Sequence, residues 1–383
     1  MAEHRASNQR SQLLKRLASL ESEQPDGVIS LYLDLSQPEL ATPRARRAEV
    51  ESLVDRLRQE ATDTEEHRTL DQQPEPRRHL ERLRELLEDD TDPAGARGIA
   101  VFSCEVPPFL RTIRLSAGVE PGARASRHPW LRPLVEVSPS LSGLVLAVAN
   151  REAARVFELR GLALEEVASL SEHRVDPSHA GQEMAHHHRM ENWFKEQARE
   201  LVRLLTERAR QDDLHGIVLV APAEFLPHLD RALTDELRGL VMATIAADAL
   251  EWPAKDMLTE VERAAAREAE AHDDELVALL EQSRGQAGSS AWGDAAVLRA
   301  IAEQRVAALL LARGRELSGW VCPNCGWMAT EAGDCPLDGA RLTAEGELIE
   351  RMIRESLCQD AEVRLLPPER LGEASSAALL RYG

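Results

Sequence analysis

The sequence predicts an α/β protein of three domains, with a small cysteine-bearing insertion in the third. Three observations carry that expectation. Apolar segments at helical spacing alternate with short β-rich runs along the chain. A length of 383 residues, at about 150 per domain, gives roughly two to three domains. Three of the five cysteines, Cys322, Cys325 and Cys335, crowd into one stretch, while Cys104 and Cys358 stand alone. At 43% hydrophobic and 29% charged the chain can bury several cores, and its Ala- and Leu-rich vocabulary with 3% aromatics favours helix.

The elements follow in order. Leu13, Leu14, Leu17 and Leu20 share one helical face. After Pro25-Asp-Gly27 the period changes, and Val28 to Leu35 reads as a strand. Helical patterns over Arg44 to about Arg58 and about Arg77 to Leu87 flank a polar, proline-containing stretch at residues 71–76. Strands are expected at Gly98 to Cys104 and Phe109 to Leu115, closing a first domain at residues 1–137. A loop-like Ser138-Pro-Ser-Leu-Ser-Gly143 opens the second domain, residues 138–258. Leu144 to Val148 and Ala154 to Leu159 form a hairpin across the polar Asn150-Arg-Glu152. A long amphipathic helix follows over Met190 to Gln211, then a buried strand at Gly216 to Ala221 and a helix over about Phe225 to Leu240. The third domain, residues 259–383, starts with a helix over Thr259 to Gln282 whose eight acids face Arg263 and Arg267, the pattern of a solvated surface. A Gly/Ser-rich break, a helix at Ala295 to Gln304, strands at Val306 to Leu311 and Val363 to Leu366, and a helix near Leu348 to Leu357 complete it, with the cysteine cluster (320–342) as an excursion. No internal repeat is visible.

Charge restricts function. A net charge of −20 excludes a protein that coats nucleic acid through its overall field, so any RNA contact has to come from local patches. Lys15, Lys195 and Lys255 are the only lysines; arginine supplies the other cations. No apolar run approaches the ~18 residues of a membrane span, and the N-terminus lacks an apolar signal core. A cytoplasmic location with no membrane partner is expected.

Cys322-Pro-Asn-Cys325, nine residues, then Cys335-Pro-Leu-Asp338 present two turns, each with a pair of donors two residues apart. Such turns let both side chains converge on one ion, as a zinc ribbon requires. The site would hold structural zinc through three thiolates and either Asp338 or a water; the alternative is a ribbon that folds without metal. The His-rich loop at 171–189 includes His186, His187 and His188. Consecutive helical residues diverge by about 100°, so these three cannot bind one metal from a regular helix, which weakens a metal-dependent hydrolase built on them.

Three features resemble the archaeal and eukaryotic class-I peptide chain release factors with their Pelota-like and bacterial relatives. Ala180-Gly181-Gln182, opening a long helix that continues to Arg189, looks like the Gly-Gly-Gln loop and the arginine-bearing helix behind it. Ala374-Ser-Ser-Ala-Ala-Leu-Leu-Arg-Tyr382 looks like the family's closing segment. Gly293-Asp-Ala-Ala-Val-Leu-Arg-Ala-Ile301, an Ala/Leu-rich strand and then Cys-Pro-Asn-Cys-Gly match the third domain with its zinc mini-domain. The resemblance covers about residues 142–382, and the first domain only in outline.

It implies a three-domain release-factor-like architecture whose middle domain inserts its loop into the ribosomal peptidyl-transferase centre. There Gly181 would be the second glycine and Gln182 the catalytic glutamine for hydrolysis of the peptidyl-tRNA ester. Glycine gives a loop the backbone freedom to enter a crowded RNA cavity, and a glutamine N–H can stabilise a developing oxyanion. Ala180 stands where the first glycine belongs, and a methyl group at positive φ costs roughly 1 kcal/mol or more. No Asn-Ile-Lys-Ser codon-reading motif is present. Arg111, Arg114, Arg124, Arg127 and Arg132, with His186 and Arg189, are the candidate RNA contacts; a surface of scattered arginines is the alternative. The expected partners are the ribosome, through rRNA and peptidyl-tRNA, with room for a translational GTPase. Two activities fit: codon-independent A-site binding with peptidyl-tRNA hydrolysis in ribosome rescue, or hibernation-type occupation of the site without hydrolysis, as in the relative Balon. Either one asks that acids concentrate on outward faces such as Glu260 to Glu281.

Overall fold

The fold comes from a computed structural model. It describes residues 12–40, 42–62, 96–104, 106–115, 117–137, 144–150, 153–160, 163–171, 183–210, 214, 216–284 and 289–381. The chain divides into two compact units: one is built on Pro139–Ala269, and the other joins Ser11–Asp92 and Arg97–Ser138 to Glu270–Gly383. The first and last sections of the sequence therefore share a unit.

In that shared unit, β1 (Val28–Asp34), β2 (Gly98–Cys104), β3 (Phe109–Leu115) and β4 (Gly122–Ser126) form a sheet in the order β3-β2-β1-β4. Strand alternation gives the sheet two apolar faces. Ile29, Leu31, Leu33, Ile99 and Val101 pack on Val50 and Leu53 of the helix Pro43–Thr62. Tyr32, Ala100 and Phe102 face the other way, toward Leu14, Leu17 and Ala18 of a helix over residues 12–18. Gly122 lets β4 lie against Trp130, because a Cβ there would come within 2.9 Å of a ring carbon. The helix expected at about Arg77 to Leu87 lies outside the described residues.

The middle unit holds β5 (Leu144–Ala149), β6 (Ala153–Arg160), β7 (Ala163–Ser171), β8 (Gly216–Ala221) and β9 (Val241–Ala246), ordered β7-β6-β5-β8-β9. β5, β8 and β9 run parallel, while β5, β6 and β7 form an antiparallel meander. Both faces of β5 and β8 are covered, which is why these strands read as unbroken apolar runs. Val145, Ala147, Ile217 and Leu219 meet Phe194, Ala198, Leu201 and Leu205 of the helix Glu183–Ala209. On the opposite face Leu144, Leu146, Val148, Val218 and Val220 meet Met257 and Val261 of the helix Ala254–Ser283. That helix runs through residue 259, where the third section was expected to begin. The single helix expected at Phe225 to Leu240 is two, Leu226–Ala232 and Asp235–Arg238, because Thr234 caps the second by accepting the Leu237 N–H at 3.3 Å. A buried ion pair, Arg208 to Glu158 at 2.7 Å with side chains 8% and 5% exposed, ties the long helix to β6.

In the last section β10 (Ser290–Trp292), β11 (Val306–Ala312), β15 (Glu362–Leu366) and β16 (Ser376–Leu380) form the sheet β10-β16-β11-β15. A three-stranded insertion, β12 (Gly319–Val321), β13 (Met328–Ala329) and β14 (Thr343–Glu345), lies between β11 and β15. One face of the main sheet carries the helices Asp294–Ala302 and Leu348–Cys358, and the other receives Leu276 and Leu280 from the far half of Ala254–Ser283. The acids of that half are not purely solvated, contrary to the sequence expectation. Asp273 bonds the Arg364 guanidinium at 2.7 Å, and Asp274 lies 2.9 Å from that of Arg370. His272 Nε2 lies 2.9 Å from Glu362, whose hydrogen bond holds the imidazole above its ordinary pKa.

The open face of the first sheet closes on the helix Leu348–Cys358. Tyr32, Phe102, Leu131 and Leu134 share one core with Ile349, Met352 and Ile353. Glu350 enters this seam, its carboxylate accepting the backbone N–H groups of Leu131 at 2.6 Å and Arg132 at 3.1 Å, which open the short helix Arg132–Glu136. Arg124 forks onto Glu347 and lies 4.7 Å over the Trp130 ring. Arg354 donates to the His128 ring at 2.8 Å, while His128 Nδ1 lies 3.3 Å from the Leu20 carbonyl, a pairing that suits a neutral imidazole. Burial, reinforced by Arg354, pushes His128 down to about 4, and burial pushes Glu350 up to about 7.

The two shifts have opposite consequences. Folded Glu350 holds more proton than an unfolded carboxyl between 4.5 and about 7, so its contribution to stability falls as pH rises through that window. Folded His128 holds less proton between about 4 and 6.5, so its contribution rises across that one. The unfolding advantage of the natural chain over Glu350→Gln should therefore shrink between about pH 5 and pH 7.5 by on the order of 2 kcal/mol, read by denaturant titration. In the middle unit, Glu158→Ala removes the buried carboxylate that faces the Arg208 guanidinium, and the same titration should show a loss of about 3 kcal/mol.

Candidate functional site

The insertion is built from two matched turns. In the first, Cys322 N–H donates to the Trp327 carbonyl at 2.8 Å and Gly326 N–H to the Cys322 carbonyl at 3.0 Å. In the second, Cys335 N–H donates to Ala340 at 2.8 Å and Gly339 N–H to Cys335 at 2.9 Å. Gly326 and Gly339 close the turns at φ of 76° and 73°, which favour glycine. The repeat gives Asp338 the place in the second turn that Cys325 has in the first. Donor atoms of Cys322, Cys325, Cys335 and Asp338 all lie within 4.8 Å of one another. A tetrahedral metal with bonds of about 2.0–2.3 Å needs donors gathered this closely, so the set fits one ion.

Two short contacts stand out among the four donors. The Cys322 thiol lies 3.4 Å from the Asp338 carboxylate, and the Cys325 and Cys335 sulfurs are 3.5 Å apart. Cys322 and Cys335 are buried; Cys325 and Asp338 are exposed. The Ala340 N–H, assisted by the Cys335 thiol, holds the Asp338 carboxyl below its usual range, while burial pushes Cys335 up to about 11. Asp338 thus stays an anion, ready to serve as the oxygen ligand.

The candidate loop belongs to the middle unit. Gly181 and Gln182 lie outside the described residues, and the 27-residue helix Glu183–Ala209 begins at the next position. His186 and Arg189 fall within its first two turns.

The arginines grouped in sequence do not form one surface. β3 and β4 are opposite edges of the first sheet. Arg111 and Arg124 end one cross-strand row, Arg111–Phe102–Ser30–Arg124, and are separated by three strand spacings, roughly 14 Å. Arg114 pairs with Ile99 and points to the opposite face. Arg124 is engaged with Glu347, Arg132 with Glu136 at 3.1 Å, and Arg127 reaches Glu21 at 3.9 Å. Arg111 is exposed on its edge. Sequence reasoning did not single out Glu350 or Arg354. The available signal was a lone acid between the apolar Leu348, Ile349, Met352 and Ile353 of one strongly amphipathic helix.

The middle unit is a five-stranded sheet covered by helices, and the last section carries a two-turn cysteine insertion. Residues 129–270 match the family model of bacterial archaeo-eukaryotic release factor family 10. Over those residues the chain resembles the bacterial archaeo-eukaryotic release factors. Among solved structures it is similar to the archaeal translation termination factor aRF1, with 17% identity, a TM-score of 0.26, and coverage of 100% of this chain and 99% of that one. Archaeoglobus fulgidus Pelota shares 15% identity at a TM-score of 0.33 over 74% of this chain and 80% of that one. Dom34 of S. cerevisiae shares 10% at 0.40 over the same fractions. No curated protein matches the chain.

The donor set makes a direct prediction. Protein purified without chelator should carry about one zinc per chain by elemental analysis. Cys335→Ser should lose it, and Asp338→Asn, which keeps the three thiolates, should bind it more weakly in a chelator competition.

Proposed function

We propose that this protein binds the A site of bacterial ribosomes independently of the codon, and that its middle unit brings Gly181 and Gln182 to the ester of a stalled peptidyl-tRNA. One observation carries the reading: the release-factor family match spans residues 129–270 and so includes Ala180-Gly181-Gln182 and the helix behind it. In this account the Gln182 N–H faces the developing oxyanion and its side chain helps to position water, while Gly181 supplies the backbone freedom for close approach. In the same account His186 and Arg189, on the helix that follows, contact RNA phosphates. A translational GTPase is the corresponding delivery partner. Zinc in the insertion is structural: it would bind through Cys322, Cys325, Cys335 and Asp338 and take no part in hydrolysis.

A second reading is favoured by one residue. Ala180 puts a methyl group where the family has a glycine, which disfavours a positive-φ loop and suits a factor that occupies the A site without cutting the ester. Stalled ribosome–nascent-chain complexes distinguish the two. For the hydrolase, the natural chain should release peptide, Gln182→Ala should slow release by two or more orders of magnitude, and Ala180→Gly should accelerate it. If the natural chain co-sediments with ribosomes but releases nothing, the occupying role stands instead. If it does not co-sediment at moderate salt, both ribosomal roles fail.

A further inference from the structure

We propose that Cys325 and Cys335 are a peroxide-sensitive thiol pair whose oxidation to a disulfide dismantles the metal centre. The inference rests on the donor arrangement in the insertion and not on any ribosomal role.

Within the four-donor cluster, Cys325 is the solvent-exposed thiol, and its sulfur lies 3.5 Å from that of Cys335. Cys322 is buried, and its thiol lies 3.4 Å from the Asp338 carboxylate. A small oxidant arriving from solvent therefore meets Cys325 first, with Cys335 already beside it to resolve the product. The Cys325 sulfur attacks one peroxide oxygen, the O–O bond breaks, one water leaves, and Cys325 becomes a sulfenic acid. The Cys335 sulfur then attacks the Cys325 sulfur, the S–O bond breaks and a second water leaves. Two sulfurs are oxidised and one hydrogen peroxide is reduced to two waters; the two protons this takes come from the thiols in the metal-free chain and from solvent when the sulfurs are metal-bound thiolates. The sulfurs have only to close from 3.5 Å to a bond of about 2.05 Å.

What remains explains why this works as a switch. The disulfide removes two ligands and leaves Cys322 with Asp338, one thiolate and one carboxylate, too few to hold a tetrahedral metal. A four-cysteine ribbon would keep two thiolates after the same event. Asp338 in place of a fourth cysteine thus makes the loss of metal more complete. The turn also abuts the seam helix, since a Cβ on Gly326 would lie 3.2 Å from Arg351.

The test uses the full chain carrying Cys358→Ser, which removes the other exposed thiol. Sub-millimolar hydrogen peroxide should lower the intact mass by about two mass units and release zinc to a chromogenic chelator with the same time course. Peptide mapping should join Cys325 to Cys335, and dithiothreitol should reverse all three changes. A Cys322–Cys325 link, conversion to sulfinic acid without any link, or a chain that keeps its metal and mass under peroxide would overturn the proposal. If the chain purifies without metal but still forms the Cys325–Cys335 bond, the thiol pair is upheld and the metal assignment alone fails.

Discussion

Glu350 places a carboxylate in an apolar seam, and the arrangement of the first and last sections depends on it. The helix Leu348–Cys358 presents Ile349, Met352 and Ile353 to the Tyr32–Phe102 face of the first sheet, and burying apolar area on this scale favours closure. Burial also strips water from the opening N–H groups of Arg132–Glu136, and an unpaired buried donor costs about 1–3 kcal/mol. Glu350 supplies both acceptors, one oxygen to each N–H. Around it the seam is closed by charge and by shape: Arg124 between Glu347 and the Trp130 ring, Arg354 against a neutral His128, and the Tyr32 hydroxyl donating to the Trp130 carbonyl at 2.6 Å.

This use of charge changes what the net −20 means. Read as a sum, the acids oppose an RNA partner. In place, many are internal fastenings: Glu347 and Glu350 hold the first section, Asp273 and Glu362 hold the helix Ala254–Ser283 to the last sheet, and Glu158 neutralises Arg208. The outward-facing acidic surface expected between Glu260 and Glu281 is therefore only partly realised; Glu268, Glu275 and Glu281 are exposed, Asp273 is not. The same holds for the cations. Arg124 and Arg132, which sequence groups with Arg111 and Arg127, serve the seam and its short helix, leaving the exposed Arg111 on a sheet edge.

The parts legible in sequence were those whose cause is local. β1, β2, β5, β8 and β11 are buried on both faces and announce themselves as apolar runs, and the long helices show their spacing. The two cysteine turns were legible because a two-residue spacing fixes the turn, and the structure adds that Asp338 stands where the repeat requires a donor. Other strands had no such signature, β4, β7 and β9 among them. β4 is Gly-Ala-Arg-Ala-Ser and forms because β1 leaves an edge to pair with. β7 is an edge strand with Glu165, Glu166 and an exposed Val167, and β9 completes the parallel edge beside β8. Glu350 was illegible for a different reason, since its partners lie 219 and 218 residues away. The arginine cluster misleads for the converse reason: neighbours in sequence lie on opposite edges and faces of one sheet.

The ribosomal reading therefore rests on the middle unit, where the family match, the Gly181-Gln182 dipeptide and the helix Glu183–Ala209 coincide. A density map of this protein bound to a stalled bacterial ribosome tests that claim most directly. The account predicts the middle unit in the A site, with residues 180–182 at the acceptor end of the P-site tRNA. A map that puts the middle unit anywhere else, or that shows the A site empty at saturating protein, would contradict it.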